Sequence, residues 1–219
     1  MEGGLKLAVK LKIVSVILIA AGLLMLFYPK LTEMAGNAEQ EKLAEQWQAS
    51  LQNIEIRNEE PEVEARQEAS PSIQTRPVSA NAPSSSEQVE GMLEIDKINL
   101  KLPILHGATK SNMRTTLASI ENTGRPGEIG NYAIAGHRNR TYGRNFNRLD
   151  ELAVGDLIDV DTGTEKFEYI VTEKQIVKPE DVWVLKGNGK DKEITLVTCH
   201  PMVNPTHRLI IKGKIVDKK

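Results

Sequence analysis

The chain changes its pattern of apolar and polar positions three times. Residues Ile13 to Tyr28 form a 16-residue run without charge, preceded by Lys6, Lys10 and Lys12 and closed by Pro29 and Lys30. That is slightly short of the ~20 residues that cross a bilayer as a helix. Leu7, Val9 and Leu11 extend the run, because a lysine near a helix end can snorkel to the headgroups. A cleaved signal peptide would need a small-x-small site after the run, and Phe27-Tyr28-Pro29-Lys30 fits one poorly. Residues 1–30 are therefore expected to be a cytoplasmic tip and an uncleaved transmembrane signal anchor. The excess of lysine before the run puts the remainder of the chain outside. Leu43, Trp47, Leu51 and Ile54 recur at spacings of 4, 4 and 3 in a Glu/Gln-rich stretch, the stripe of a juxtamembrane helix. From 56 to about 89, Pro61, Pro71, Pro77 and Pro83 stand among Glu, Ser, Ala and Asn, a composition too polar to offset chain entropy. Residues 31–90 are thus a helix followed by a flexible tether.

From Gly91 the pattern turns to strand, and 91–219 is long enough for one core. Met92–Ile95 is the first strand. Leu100–Leu105 is interrupted by Pro103 and reads as an edge strand or a bend. Ser111–Ser119 suits a short helix capped by Ser111 or Asn112. Gly124–Gly130 is a glycine-punctuated loop. Asn131–Ala135 is a buried strand, and Phe146–Leu152 a short helix. Leu157–Val160, Phe167–Thr172, Val182–Leu185, Ile194–Cys199 and Arg208–Val216 are further strands. In the second of these Phe167, Tyr169 and Val171 share one face, although Ile170 breaks the alternation. Short strands at this spacing predict an all-β domain, a closed barrel or a sandwich with short helices.

Composition narrows the class. A net charge of −2 gives no basic footprint for nucleic acid. A domain outside the cell with one cysteine has no internal disulfide, so its hydrophobic core must hold it. There is no cysteine pair or histidine pair at metal-ligand spacing and no glycine-rich phosphate loop, so no metal and no cofactor is expected. Acidic residues between 161 and 193 read as solvated loop charge.

The candidate chemistry centres on that one cysteine, Cys199, at the end of Thr195-Leu196-Val197-Thr198-Cys199. An unpaired cysteine commonly packs as a small buried hydrophobe, but this one ends its strand. A thiol titrates near ~8.5 and needs a proton acceptor to act as a nucleophile. Four histidines compete for that role. His200 is adjacent in sequence, but neighbours on a strand point to opposite faces. His207 lies across a turn, and His106 follows an early strand. His137 mirrors Cys199: an apolar strand runs through Gly136 into it, and Gly136 allows a turn or close approach of a ligand. Arg208, which starts the next strand, offers a fork of donors for a developing oxyanion. Arg138, Arg140, Arg144 and Arg148 are its rivals. Thr198 is a candidate substrate contact, through its side chain or its backbone.

An anchor, a tether, a β-rich domain, Gly136-His137, and Thr-Leu-Val-Thr-Cys followed by Arg208 together resemble the sortases, cell-surface transpeptidases of Gram-positive bacteria. The resemblance spans about residues 91–217 plus the anchor. It implies an eight-stranded β-barrel and a triad of His137, Cys199 and Arg208. Cys199 would cleave an LPxTG-like sorting signal after its threonine through a thioester. An amine of a peptidoglycan precursor or a pilin lysine would then resolve that thioester. The implied partners are surface proteins or pilins bearing such a signal. The implied location is the cell membrane, single-pass, with the catalytic domain extracellular. Gly136-His137-Arg138 and the short Cys-to-Arg spacing are similar to classes C and D. Residues 56–90 contain no Asp and no aromatic residue for a class C lid, and no second membrane segment follows the domain, so class D is expected. A thiol peptidase and a non-catalytic surface module with a structural Cys199 are the alternatives.

Overall fold

The computed structural model describes residues 2–58, 89–141 and 143–216, with side chains in the first helix described for 12–28, 34–35 and 37–49. The chain divides into two compact units at Glu41/Lys42. Helix α1 runs unbroken from Glu2 to Asn58, through Pro29-Lys30, where the sequence pattern expects an end. A proline removes one amide donor at a cost of about 3 kcal/mol, and helix propagation on both sides absorbs it. The apolar side chains from Ile13 to Tyr28 are exposed along α1, Leu24 and Leu26 among them at 69 % and 76 %. Among the described residues no helix is long and apolar enough to cross a membrane, so the fold does not establish the expected transmembrane helix. The tether expected over 56–89 lies mostly outside the described residues.

The strands β1 (Val89–Ile95), β2 (Leu100–Leu105), β3 (Leu117–Ser119), β4 (Gly130–Ala135), β5 (Leu157–Asp161), β6 (Lys166–Val177), β7 (Lys192–His200) and β8 (His207–Ile215) close a barrel in the order β1-β2-β3-β4-β7-β8-β6-β5. Pairs β2/β3 and β4/β7 are parallel, and the rest are antiparallel. Alternation along each strand sends one row inward. Leu93 and Ile95, Tyr132 and Ile134, Ile194 and Leu196, and Leu209 and Ile211 pack with Tyr169 and Val171 into one core. Phe167 packs against this core, and exposed Ile170 points away from it. β6 continues to Val177 through a register shift between Val171 and Glu173.

Four sequence-based assignments change. Leu100–Leu105 is a continuous strand inside the closed barrel and not a bend, and only its Leu100–Pro103 part is edge-like: Pro103 pairs with Met92 of β1, and β3 engages only Ile104 and Leu105. The missing proline N–H therefore interrupts no ladder, and Thr116 Oγ1 donates to the Pro103 carbonyl at 2.8 Å. The helix expected over Ser111–Ser119 is α2, Lys110–Thr115, capped by Thr109. Its last third becomes β3, because buried Leu117 is needed in the core. Phe146–Leu152 holds only a 3₁₀ turn, Leu149–Glu151, whose three-residue period stacks Phe146, Leu149 and Leu152 into the core. Val182–Leu185 is a 3₁₀ turn rather than a strand. It packs Val184 with Val177 and Ile210, beside Leu185 and Val197, in a second, smaller apolar cluster.

Candidate active site

The parallel pairing of β4 with β7 is the element that builds the site. It runs in step from Gly130↔Lys192 to Ala135↔Val197. Ile134 and Leu196 face the core, so Ala133, Ala135, Thr195, Val197 and Cys199 belong to the other face. Past the last paired residues, Gly136 N donates to Val197 O at 3.1 Å, and Thr198 Oγ1 donates to Gly136 O at 2.8 Å. Continuing the same step brings His137 level with Cys199. On the other flank of β7, Cys199 is the direct antiparallel partner of Arg208. Side chains of such a pair lie on one face with Cβ atoms about 5 Å apart.

The four histidines are separated by what they touch. His106 Nδ1 contacts Glu90 Oε1. His200 Nδ1 accepts from Arg138 Nη1 at 2.9 Å, and His207 Nδ1 lies 2.8 Å from Thr206 Oγ1. His137, exposed at the rim, has no side-chain partner among the described residues. Cys199 is a free thiol, partly exposed. Arg208 donates through Nη1 to His207 O at 3.0 Å, and its other nitrogens carry no partner among the described residues. Of the rival arginines, Arg138 pairs with Asp150 and Arg148 with Glu151.

Two sequence-based expectations are revised. Thr198 is 2 % exposed and its hydroxyl is committed to Gly136; it ties the strand ends together, and only its backbone is left for a substrate. Gly136 serves close packing and not ligand approach: a Cβ there would meet Leu117 Cδ2 at 2.6 Å and Phe146 Cδ2 at 2.7 Å. Sequence reasoning missed Asn131, which is 3 % exposed. Its side chain donates to Leu185 O at 2.9 Å and accepts from Thr195 Oγ1 at 2.8 Å. It thereby fixes the β6–β7 connection to the face that carries Cys199. Among the described residues no group of three or more His, Cys, Asp or Glu side chains is placed to hold a metal ion.

The sequence profile of the sortase domain matches residues 93–216. The chain belongs to the sortase family. Sortases are transpeptidases of the Gram-positive cell surface, and the closed barrel is their fold. Sortase A of Bacillus anthracis is 34 % identical over 140 residues, which cover 64 % of this chain and 66 % of that relative. Sortase D of Bacillus subtilis is 28 % identical over 94 % of this chain and 98 % of its own length. Among solved structures, a sortase D5 transpeptidase of Clostridium perfringens matches with TM-score 0.55 and 36 % identity, covering 59 % of this chain and 79 % of that one. Sortase C1 of Streptococcus agalactiae matches with TM-score 0.58 and 33 % identity, covering 64 % and 72 %. Relatives of classes A, C and D therefore stand at similar identity.

Proposed function

We propose that the protein is a membrane-anchored, class D-like cysteine transpeptidase acting on an LPxTG-like sorting signal. The observation that carries this reading is the rim geometry: Cys199 is opposite Arg208 and level with the one histidine that has no side-chain partner among the described residues. Cys199 Sγ, its proton passed to His137, attacks the threonine carbonyl carbon. The carbon–nitrogen bond to the next residue breaks, and His137 gives its proton to the departing amine. An incoming amine, from a peptidoglycan precursor or a pilin lysine, loses a proton to His137 and attacks the thioester. The new amide forms, the carbon–sulfur bond breaks, and the proton held by His137 returns to Sγ. Arg208 holds the substrate and offers N–H donors to the oxyanion. Thr198 contributes through its backbone.

The apolar surface of the β6–β7 connection supports the peptide assignment: Val182 and Trp183 stand exposed on its 3₁₀ turn, a surface suited to the leucine and proline of such a signal. The exposed apolar face of α1 between Ile13 and Tyr28, with lysines before it, supports the single-pass anchor with the barrel outside.

Product analysis tests the reading. The full-length protein, incubated with a panel of LPxTG-type peptides and glycinamide, should yield the amide adduct ending at the threonine. Free acid as the sole product would make it a thiol peptidase, and no cleavage of any peptide would remove the sorting-signal assignment. Fractionation of cells tests the anchor: release of the protein by high salt alone would contradict it.

A further inference from the structure

The step that aligns β4 with β7 continues one residue beyond the chemistry. Extended past Ala135 and Val197, the last paired residues, the step sets Gly136 against Thr198, His137 against Cys199 and Arg138 against His200, each pair 62 residues apart. The first and third rungs are closed by hydrogen bonds, Thr198 Oγ1 to Gly136 O at 2.8 Å and Arg138 Nη1 to His200 Nδ1 at 2.9 Å. The middle rung has no side-chain hydrogen bond among the described residues. Arg138 is built into the rim: its side chain is 5 % exposed, and Nη2 pairs with Asp150 Oδ2 at 2.7 Å. Its Nε is buried without a hydrogen-bond partner. Asp150 belongs to the 3₁₀ turn whose neighbour Leu149 is in the core. A guanidinium only donates, so Nδ1 of His200 accepts and the ring proton sits on Nε2.

We propose that Arg138 and His200, backed by Asp150, are positioning residues that hold His137 and Cys199 in register. This rests on the transpeptidase reading above. Backbone hydrogen bonding along the β4–β7 seam stops at Gly136, one residue short of the pair that must exchange a proton. Proton transfer requires hydrogen-bond reach, so a slip of the rim would act on rate before affinity. His200, adjacent to the thiol in sequence, faces away from it and has its Nδ1 committed to Arg138.

The test uses the full-length protein, an LPxTG-type peptide and glycinamide. Arg138→Met and His200→Leu should each lower kcat by roughly 10- to 100-fold with KM changed less than about twofold. The double variant should be no slower than the slower single. His200→Asn, which returns an acceptor close to the place of Nδ1, should recover most of the rate. In parallel, the pH profile of Cys199 alkylation by iodoacetamide should move in Arg138→Met and stay in place in Tyr132→Phe, a core variant away from the rim. Wild-type kcat and an unmoved alkylation profile in Arg138→Met and His200→Leu would overturn the proposal. If the wild-type protein turns over no peptide, the transpeptidase reading fails by itself. The alkylation profile then decides: a shift in the rim variants supports the bracket, and no shift overturns it. If Arg138→Met does not fold, the contrast between His200→Leu and His200→Asn decides in the same way.

Discussion

Two regions of the barrel present a histidine beside reactive-looking neighbours, and they are built oppositely. At the opening where β1 begins, Glu90 touches His106 with one oxygen and accepts from Tyr132 Oη at 3.1 Å with the other. Burial, and then the charge of Glu90, push the Tyr132 hydroxyl well above its ordinary value, so it stays a donor. Glu90 spends both of its oxygens on these two neighbours. At the rim where β4 and β7 end, Cys199 and His137 have no side-chain partners among the described residues, and Arg208 spends one nitrogen. A cavity of about 540 Å³ accompanies the first region, lined among others by Glu90, His106, Tyr132 and Arg125. The groups left unspent and in register stand at the second region instead. Buried polar groups that pair internally stabilise the fold, and groups left unpaired at a surface are available to a substrate.

Exchanging the histidines is the sharpest way to break this contrast. His137→Ala should reduce transpeptidation by about 10²- to 10⁴-fold, the range of a lost general acid–base. His106→Ala should stay within about threefold, since an exposed ion pair contributes roughly 0–1 kcal/mol to stability. Steady-state rates decide, and comparable losses from both would dissolve the distinction. Arg208→Lys comes next: a point charge does not replace a planar fork, and a loss of roughly 10²-fold is expected, the size of a missing oxyanion donor. A near-wild-type rate would leave Arg208 a strand-edge residue. Gly136→Ala should act through packing. Fully buried Leu117 and Phe146 have little room to move away from the new methyl, so about 1–3 kcal/mol of stability is lost, and activity falls as the neighbouring His137 shifts. Unchanged melting would mean that the rim is softer than described. The smallest effect is expected from Tyr132→Phe, about 1 kcal/mol in denaturant unfolding with catalysis within about twofold. A large catalytic loss there would link the two regions.

Much of this contrast was legible in the sequence on one side only. Cys199 and His137 announce themselves as polar ends of apolar strands, and alternation in Phe167-Tyr169-Val171 gave the inward row of β6. What periodicity could not supply was adjacency. Alternation already turns His200 away from the thiol, but only the pairing of β4 with β7 puts the end of the His137 strand beside Cys199. The same gap hid Arg138 and His200 as a pair, and Asn131, whose partners are 53 and more residues away. Val182–Leu185 misled because four apolar residues in a row suit a strand or a buried 3₁₀ turn equally. Only packing against Val177 and Ile210 decides between them. At Pro103 the proline rule held locally: the strand runs on within the barrel, but that residue lies beyond the reach of β3.

The most direct test is the intact mass of the full-length protein after incubation with an LPxTG-type peptide in the absence of amine. A mass increase equal to the acyl fragment ending at threonine is expected, located on Cys199, absent from Cys199→Ala and discharged when glycinamide is added. Product formation by Cys199→Ala, or an adduct on any other residue, would contradict the central claim that the rim thiol is the nucleophile.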